Sequence, residues 1–274
     1  MVKTIKYISR IKDDFDCVIC GVNGVITDGE NIFTPAAETL NHLYLDGKKI
    51  VLATNSGQRV YELFEYLKKH NFPVHIFSSM ITAGEIAHYS LKKRNDLGSM
   101  YYPLSQNSGA IMQGLKYQKT DSPVLADFIL AETTAENLKS DKNLRILEQA
   151  LNLKLPMICV GNNTVMMSGN KVQESVGSLA EQYALMGGKI ITFGKPDIKI
   201  AKYLIEDLNV EPEHCLVIGD NMATDMKMGA NFKAKTLLVC AGVHQIKSEL
   251  EQKIGDLSLN FGINIDFATE NLQW

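Results

Sequence analysis

Short apolar runs alternate with amphipathic stretches along the first part of the chain. Cys17-Val-Ile-Cys20 is continuous and apolar, as in a strand buried on both faces. Thr34-Pro35 then supplies a helix N-cap followed by proline at the first helical position. Leu40, Leu43 and Tyr44 form the inner stripe of that helix, and Gly47 is its stop. Ile50–Ala53 reads as a second buried strand, and Val60, Leu63, Phe64 and Leu67 recur beyond it at helical spacing. The rhythm resumes late in the chain. Lys189–Phe193 reads as strand, and Ile198, Ala201, Ile205 and Leu208 share a helix face. Cys215–Ile218 and Thr236–Cys240 read as two further strands. Such alternation predicts right-handed crossovers and a parallel sheet.

Residues from about 80 to 188 break this rhythm. They carry a longer polar stretch, Asn137–Asn143, and separate strand-like runs at Val124–Leu130 and Met157–Val160. That is the pattern of one domain inserted into another. The expected division is a discontinuous α/β core of residues 1–79 and 189–274, with an insertion spanning 80–188.

Composition removes several function classes. With 28 Lys+Arg against 31 Asp+Glu, the 274 residues carry a formal charge of −3, so no basic face marks a nucleic-acid binder. No apolar run approaches the ~18 residues needed to span a bilayer, and the first residues lack a signal peptide's apolar segment. The expectation is a cytoplasmic protein without membrane contact. Five cysteines, odd in number and widely spread, make a poor disulfide framework. Cys17 and Cys20 spell C-x-x-C, but within a strand they read as buried thiols. Met222, Met226 and Met228 read as helix core.

In open parallel sheets, ligands bind beyond the carboxyl ends of the strands, so the residues that follow each apolar run matter most. They are Gly21-Val-Asn23-Gly24, then Thr54-Asn55-Ser56-Gly57, then Gly194-Lys195-Pro196, and finally Gly219-Asp220 with Asp225. A hydroxyl and amide cluster, one lysine and two carboxylates thus converge on one sheet edge.

In this order the clusters resemble the motifs of the haloacid dehalogenase (HAD) superfamily, class IIA, the NagD-like group of phosphoglycolate and 4-nitrophenyl phosphatases. The resemblance implies a Rossmann-like core carrying an inserted α/β cap of the C2 type. It implies phosphoryl binding by Thr54, Asn55, Ser56 and Lys195, and magnesium binding by Asp220, Asp225 and the Asn23 backbone carbonyl. Ser79–Ala83 and Gly177–Ala180 resemble the segments that lead into and out of such a cap. By the same analogy, copies of the chain would associate through the cap.

The first motif departs from the family pattern of Asp-x-Asp-Gly. Gly24-Val-Ile-Thr27 fixes the register, which puts Gly21 at the nucleophile position and Asn23 at the general-acid position. Glycine has no nucleophile, and an amide delivers no proton. Gly161-Asn162-Asn163 likewise stands where the cap usually reads Asn-Pro-Asp. Of the nearby acids, Asp28 on the following loop is the one able to swing close. Removing the nucleophile of a hydrolase costs roughly 10⁶-fold in turnover. The expectation is therefore a phosphatase-like protein that binds a phosphorylated small molecule, such as a sugar phosphate or nucleotide. Magnesium would bind weakly and hydrolysis would lie near background. The alternative is an active magnesium-dependent phosphomonoesterase that uses an atypical nucleophile or water.

Overall fold

The computed structural model describes residues 2–104, 109–132, 138 and 140–274. Among them, seven parallel strands form the core sheet. In spatial order these are Lys3–Thr4, Phe267–Thr269, Lys235–Val239, Cys215–Gly219, Cys17–Cys20, Lys49–Thr54 and Phe77–Thr82. Every residue of the two central strands, Cys17–Cys20 and Cys215–Gly219, is buried, which explains their unbroken apolar reading. One face packs Val18, Cys20, Leu52 and Ile218 against Leu40 and Leu43 of helix Thr34–Leu45 and Leu63 and Leu67 of helix Val60–Lys69. The other packs Cys17, Ile19, Val51 and Val217 against Ile200, Ala201 and Leu204 of helix Ile198–Ile205, Phe232 of helix Lys227–Phe232 and Ile254 of helix Leu250–Phe261.

A second, five-stranded parallel sheet runs Ile190–Phe193, Met157–Val160, Phe128–Glu132, Met100–Pro103 and Gln118–Lys119. Helices Asp141–Asn152 and Val176–Leu185 cover one face, and Ala83–Lys93 with Gly109–Met112 covers the other. A two-stranded hairpin, Val165–Ser168 with Lys171–Glu174, projects from this unit. No helix among the described residues is long and apolar enough to cross a membrane.

Several sequence expectations shift. Strand Ile190–Phe193 belongs to the inserted sheet, in register with Met157–Val160, so the core resumes at Gly194 instead of residue 189. At the other crossover, strand Phe77–Thr82 completes the core sheet, so the insertion starts after Thr82 instead of at residue 80. Local apolar pattern cannot reveal which sheet a strand joins, because both are parallel and buried. The run at Val124–Leu130 becomes a tight turn at Pro123–Leu125, with Val124 and Leu125 exposed, followed by strand Phe128–Glu132. Tyr44 is 41% exposed instead of buried. Leu208 lies beyond its helix, whose buried stripe is Ile200, Ala201, Leu204 and Ile205. Thr34 is the first helical residue and makes no side-chain cap. The five cysteines are free and buried, and Met222, Met226 and Met228 are fully buried. In the polar stretch 137–143, residues 137 and 139 lie outside the described residues.

Candidate functional site

The carboxyl ends of the central core strands open into a cleft of about 1210 Å³, roofed by the inserted unit. Asn23, Thr54, Asn55, Ser56, Lys195, Asp220 and Asp225 all line it. Lys195 is 4% exposed, and its Nζ donates to the Ala53 carbonyl and to Asp225 Oδ1, both at 2.7 Å. Its loop follows a strand of the inserted sheet, so the ammonium reaches the core from above. Asn55 holds that loop: its Oδ1 accepts from Lys195 N at 2.6 Å, and its Nδ2 donates to Lys195 O at 3.0 Å. The same Nδ2 donates to Asn163 Oδ1 at 2.8 Å. The Asn55 side chain is therefore engaged in positioning the lysine, where the sequence pointed to direct phosphoryl binding. Thr54 Oγ1 and Ser56 Oγ shape the adjoining turn, accepting from Ser56 N and Gln58 N at 3.2 Å.

Asp220 directly follows strand Cys215–Gly219, and Asp225 sits on the wide single turn Met222–Met226 that comes next. Wide turns of this kind recur at functional sites. Asp220 Oδ2 accepts from Val243 N at 3.0 Å, and a Cβ on Gly24 would lie 1.9 Å from that oxygen. Gly24 also has φ of +78°, so that position requires glycine twice over. Burial first, and then the Asp225 carboxylate, push the Asp220 pKa up to about 7. Two carboxylates facing one lysine form a set that favours a further cation. Magnesium commonly takes one or two carboxylates with waters and phosphate, so Asp220, Asp225 and the Asn23 carbonyl fit it. Among the described residues, no cluster of three His, Cys, Asp or Glu side chains offers a fuller metal site.

Gly21 lies where the register placed it, beside this pair. A Cβ built on it would stand 3.3 Å from Asp225 Oδ1 and 3.3 Å from the Ile218 carbonyl. Asn23 faces away from acid–base work. Its Nδ2 donates to Met167 O at 3.0 Å and its Oδ1 accepts from Met167 N at 2.9 Å, which ties the core to the projecting hairpin. Asp28 does not replace the missing acid. Its Oδ1 accepts from Glu30 N and Asn31 N at 2.9 and 2.7 Å, and hydrogen bonds from that loop hold its pKa low against the opposing effect of burial. Cys20 packs into the core on the helix side, and burial pushes its thiol pKa up, so it offers no thiolate.

The sequence reading missed a buried acid in the cleft. Glu132 ends strand Phe128–Glu132 of the inserted sheet, is 5% exposed, and lines the cleft. The signal was available: an acid closing an apolar run at a parallel sheet edge, as Asp220 does in the core. The sequence also points to cap residues 101–109 and 161–169 as the segments that would set specificity; residues 101–103 belong to strand Met100–Pro103, and 105–108 lie outside the described residues.

The haloacid dehalogenase-like hydrolase family matches residues 18–118, and the HAD-hydrolase-like family matches residues 192–258. The chain is 22% identical over 284 residues to glycerol-3-phosphate phosphatase of Gallus gallus, covering 94% of this chain and 88% of that protein. A haloacid dehalogenase-like hydrolase from Brucella suis 1330 superposes with a TM-score of 0.82 at 20% identity, covering 98% of this chain and 99% of that one. A possible sugar phosphatase from Cytophaga hutchinsonii superposes at 0.78, also with 20% identity, covering 98% of both chains.

Proposed function

The chain belongs to the haloacid dehalogenase-like hydrolase family, and from that premise we propose that its cleft binds a phosphorylated small molecule, of the sugar phosphate or nucleotide class, with hydrolysis near background. The carrying observation is the Lys195–Asp225 pair at 2.7 Å, held at the strand ends beside Gly21. It keeps a cation where a phosphoryl group would dock, while the adjoining backbone carries no carboxylate to attack it. Nucleophilic catalysis divides one hard displacement into two easier ones, and this first motif lacks the group that would do so. Magnesium bound by Asp220, Asp225 and the Asn23 carbonyl would supply charge neutralisation to the phosphoryl oxygens.

The comparisons favour a second reading, a working magnesium-dependent phosphomonoesterase. The chicken relative is a glycerol-3-phosphate phosphatase, and the Cytophaga structure is described as a possible sugar phosphatase. On this reading, water or an atypical nucleophile does the work that a carboxylate at position 21 would do.

A phosphatase screen with magnesium, run on wild type, Gly21→Asp and Gly21→Asp/Asn23→Asp, separates the two. Activity confined to the variants supports the binding protein. Robust magnesium-dependent turnover by wild type establishes the enzyme. Calorimetry with inorganic phosphate tests the binding claim separately, and absence of any heat of binding sinks it.

A further inference from the structure

The cleft has a second polar wall, on the side of the inserted sheet. Glu132 reaches it from the inserted sheet, in register with Val160, which directly precedes the Gly161–Asn163 turn over the core. Among the described residues, its Oε1 is buried without a hydrogen-bond partner. Buried carboxyl oxygens in folded proteins are nearly always paired, because an unpaired one forfeits its hydration with no return. Glu62 lines the same cleft from the first turn of helix Val60–Lys69, and its Oε2 accepts from Arg59 N at 2.8 Å. Burial first, and then the Glu62 charge, push the Glu132 pKa up to about 7. Lys142 also lines the cleft, but its side chain is exposed to solvent. Thus a cationic lysine at the core strand ends and an unpaired buried acid on the inserted sheet, with a second carboxylate nearby, line the same cleft.

We propose that this cleft selects phosphomonoesters carrying a cationic amine, with Lys195 beneath the phosphoryl group and Glu132 receiving the ammonium. The inference rests on the phosphate-binding reading above and adds the chemistry of the ligand's far end. An ammonium supplies both the hydrogen-bond donor that Oε1 lacks and the charge that two carboxylates call for. A neutral hydroxyl supplies only the first. Charge-assisted hydrogen bonds to buried acids are worth roughly ten- to hundredfold in affinity.

The test uses phosphonates, which cannot be hydrolysed, so that the readout is binding alone. Calorimetry compares ω-aminoalkyl phosphonates of graded chain length with their ω-hydroxyalkyl partners, and inorganic phosphate is titrated separately. The expected result is an amine preference of about tenfold or more at the chain length that spans the cleft. In Glu132→Gln, a nearly isosteric and neutral change, that preference should collapse. Equal affinity for amine and hydroxyl at every length overturns the proposal, while phosphate binding leaves the broader reading standing. An amine preference that persists in Glu132→Gln removes Glu132 from the role. Failure of inorganic phosphate and of every phosphonate to bind overturns both readings together.

Discussion

Asn23 and Met167 join the core to the projecting hairpin through two hydrogen bonds, one in each direction, at 2.9 and 3.0 Å. An amide serves both, because it donates and accepts, and an ionised carboxylate can only accept. The residue at the general-acid position therefore acts here as a latch between the two units. Asn23→Asp should lose one bond and set a negative charge against the Met167 carbonyl. The expected cost is about 1–3 kcal/mol in chemical denaturation, with faster amide exchange across 165–169. Unchanged exchange there would show that the latch carries no load.

Gly21→Asp should fold. The position has no left-handed φ, and its two nearest neighbours, at 3.3 Å, need give only a few tenths of an ångström. The new carboxylate would be a third beside one lysine, so the variant should be less stable than wild type without magnesium. It should then gain more from the metal than wild type does. Thermal denaturation with and without magnesium measures this, and equal magnesium effects would contradict it.

The Lys195–Asp225 pair is buried on both sides, with side chains 6% and 5% exposed. Lys195→Met should cost about 3–5 kcal/mol, because it leaves Asp225 buried and uncompensated. It should also abolish phosphate binding. Lys195→Met combined with Asp225→Leu should recover part of the stability and none of the binding. Urea denaturation and calorimetry give the two readouts separately.

Asp220 and Glu132 each favour the folded state at low pH. Each titrates near 7 in the folded chain, against about 3.9 and 4.3 when unfolded. The folded state therefore binds their protons more tightly, and that contribution to stability is fully present below about pH 4. It is lost as pH rises towards 7. Asp220→Asn and Glu132→Gln should each flatten the decline between pH 5 and 7, on the order of the raised pKa values. Magnesium competes with the Asp220 proton, so its stabilising effect should be larger at about pH 8 than at about pH 6. A magnesium effect independent of pH would refute this assignment.

Much of the architecture was legible because it is written in local pattern. Continuous apolar runs at Cys17–Cys20 and Cys215–Ile218 give buried parallel strands whichever neighbours they acquire. Glycine and proline at Gly47 and Pro35 mark helix limits through backbone geometry alone. The convergence of Thr54, Asp220 and Asp225 was also readable, since residues at the ends of parallel strands share one sheet edge, whereas Lys195 reaches that edge from the inserted sheet. That position 21 carries no side-chain carboxylate needs no coordinates at all.

Partnership was decided elsewhere. Strand Ile190–Phe193 joins the inserted sheet because its register with Met157–Val160 is a long-range choice that its own residues do not encode. Asn55 serves the Lys195 loop, and Asn23 grips Met167, because residues 140 and 144 positions apart in sequence meet only once the two units close on each other. Glu132 is an ordinary strand-end acid until the fold buries its Oε1 without a hydrogen-bond partner among the described residues. The sequence by itself determined which chemical groups stand at the strand ends. The tertiary structure decided which of those groups face the cleft free and which are already engaged, because hydrogen-bond partners and desolvation arise from contacts between distant segments.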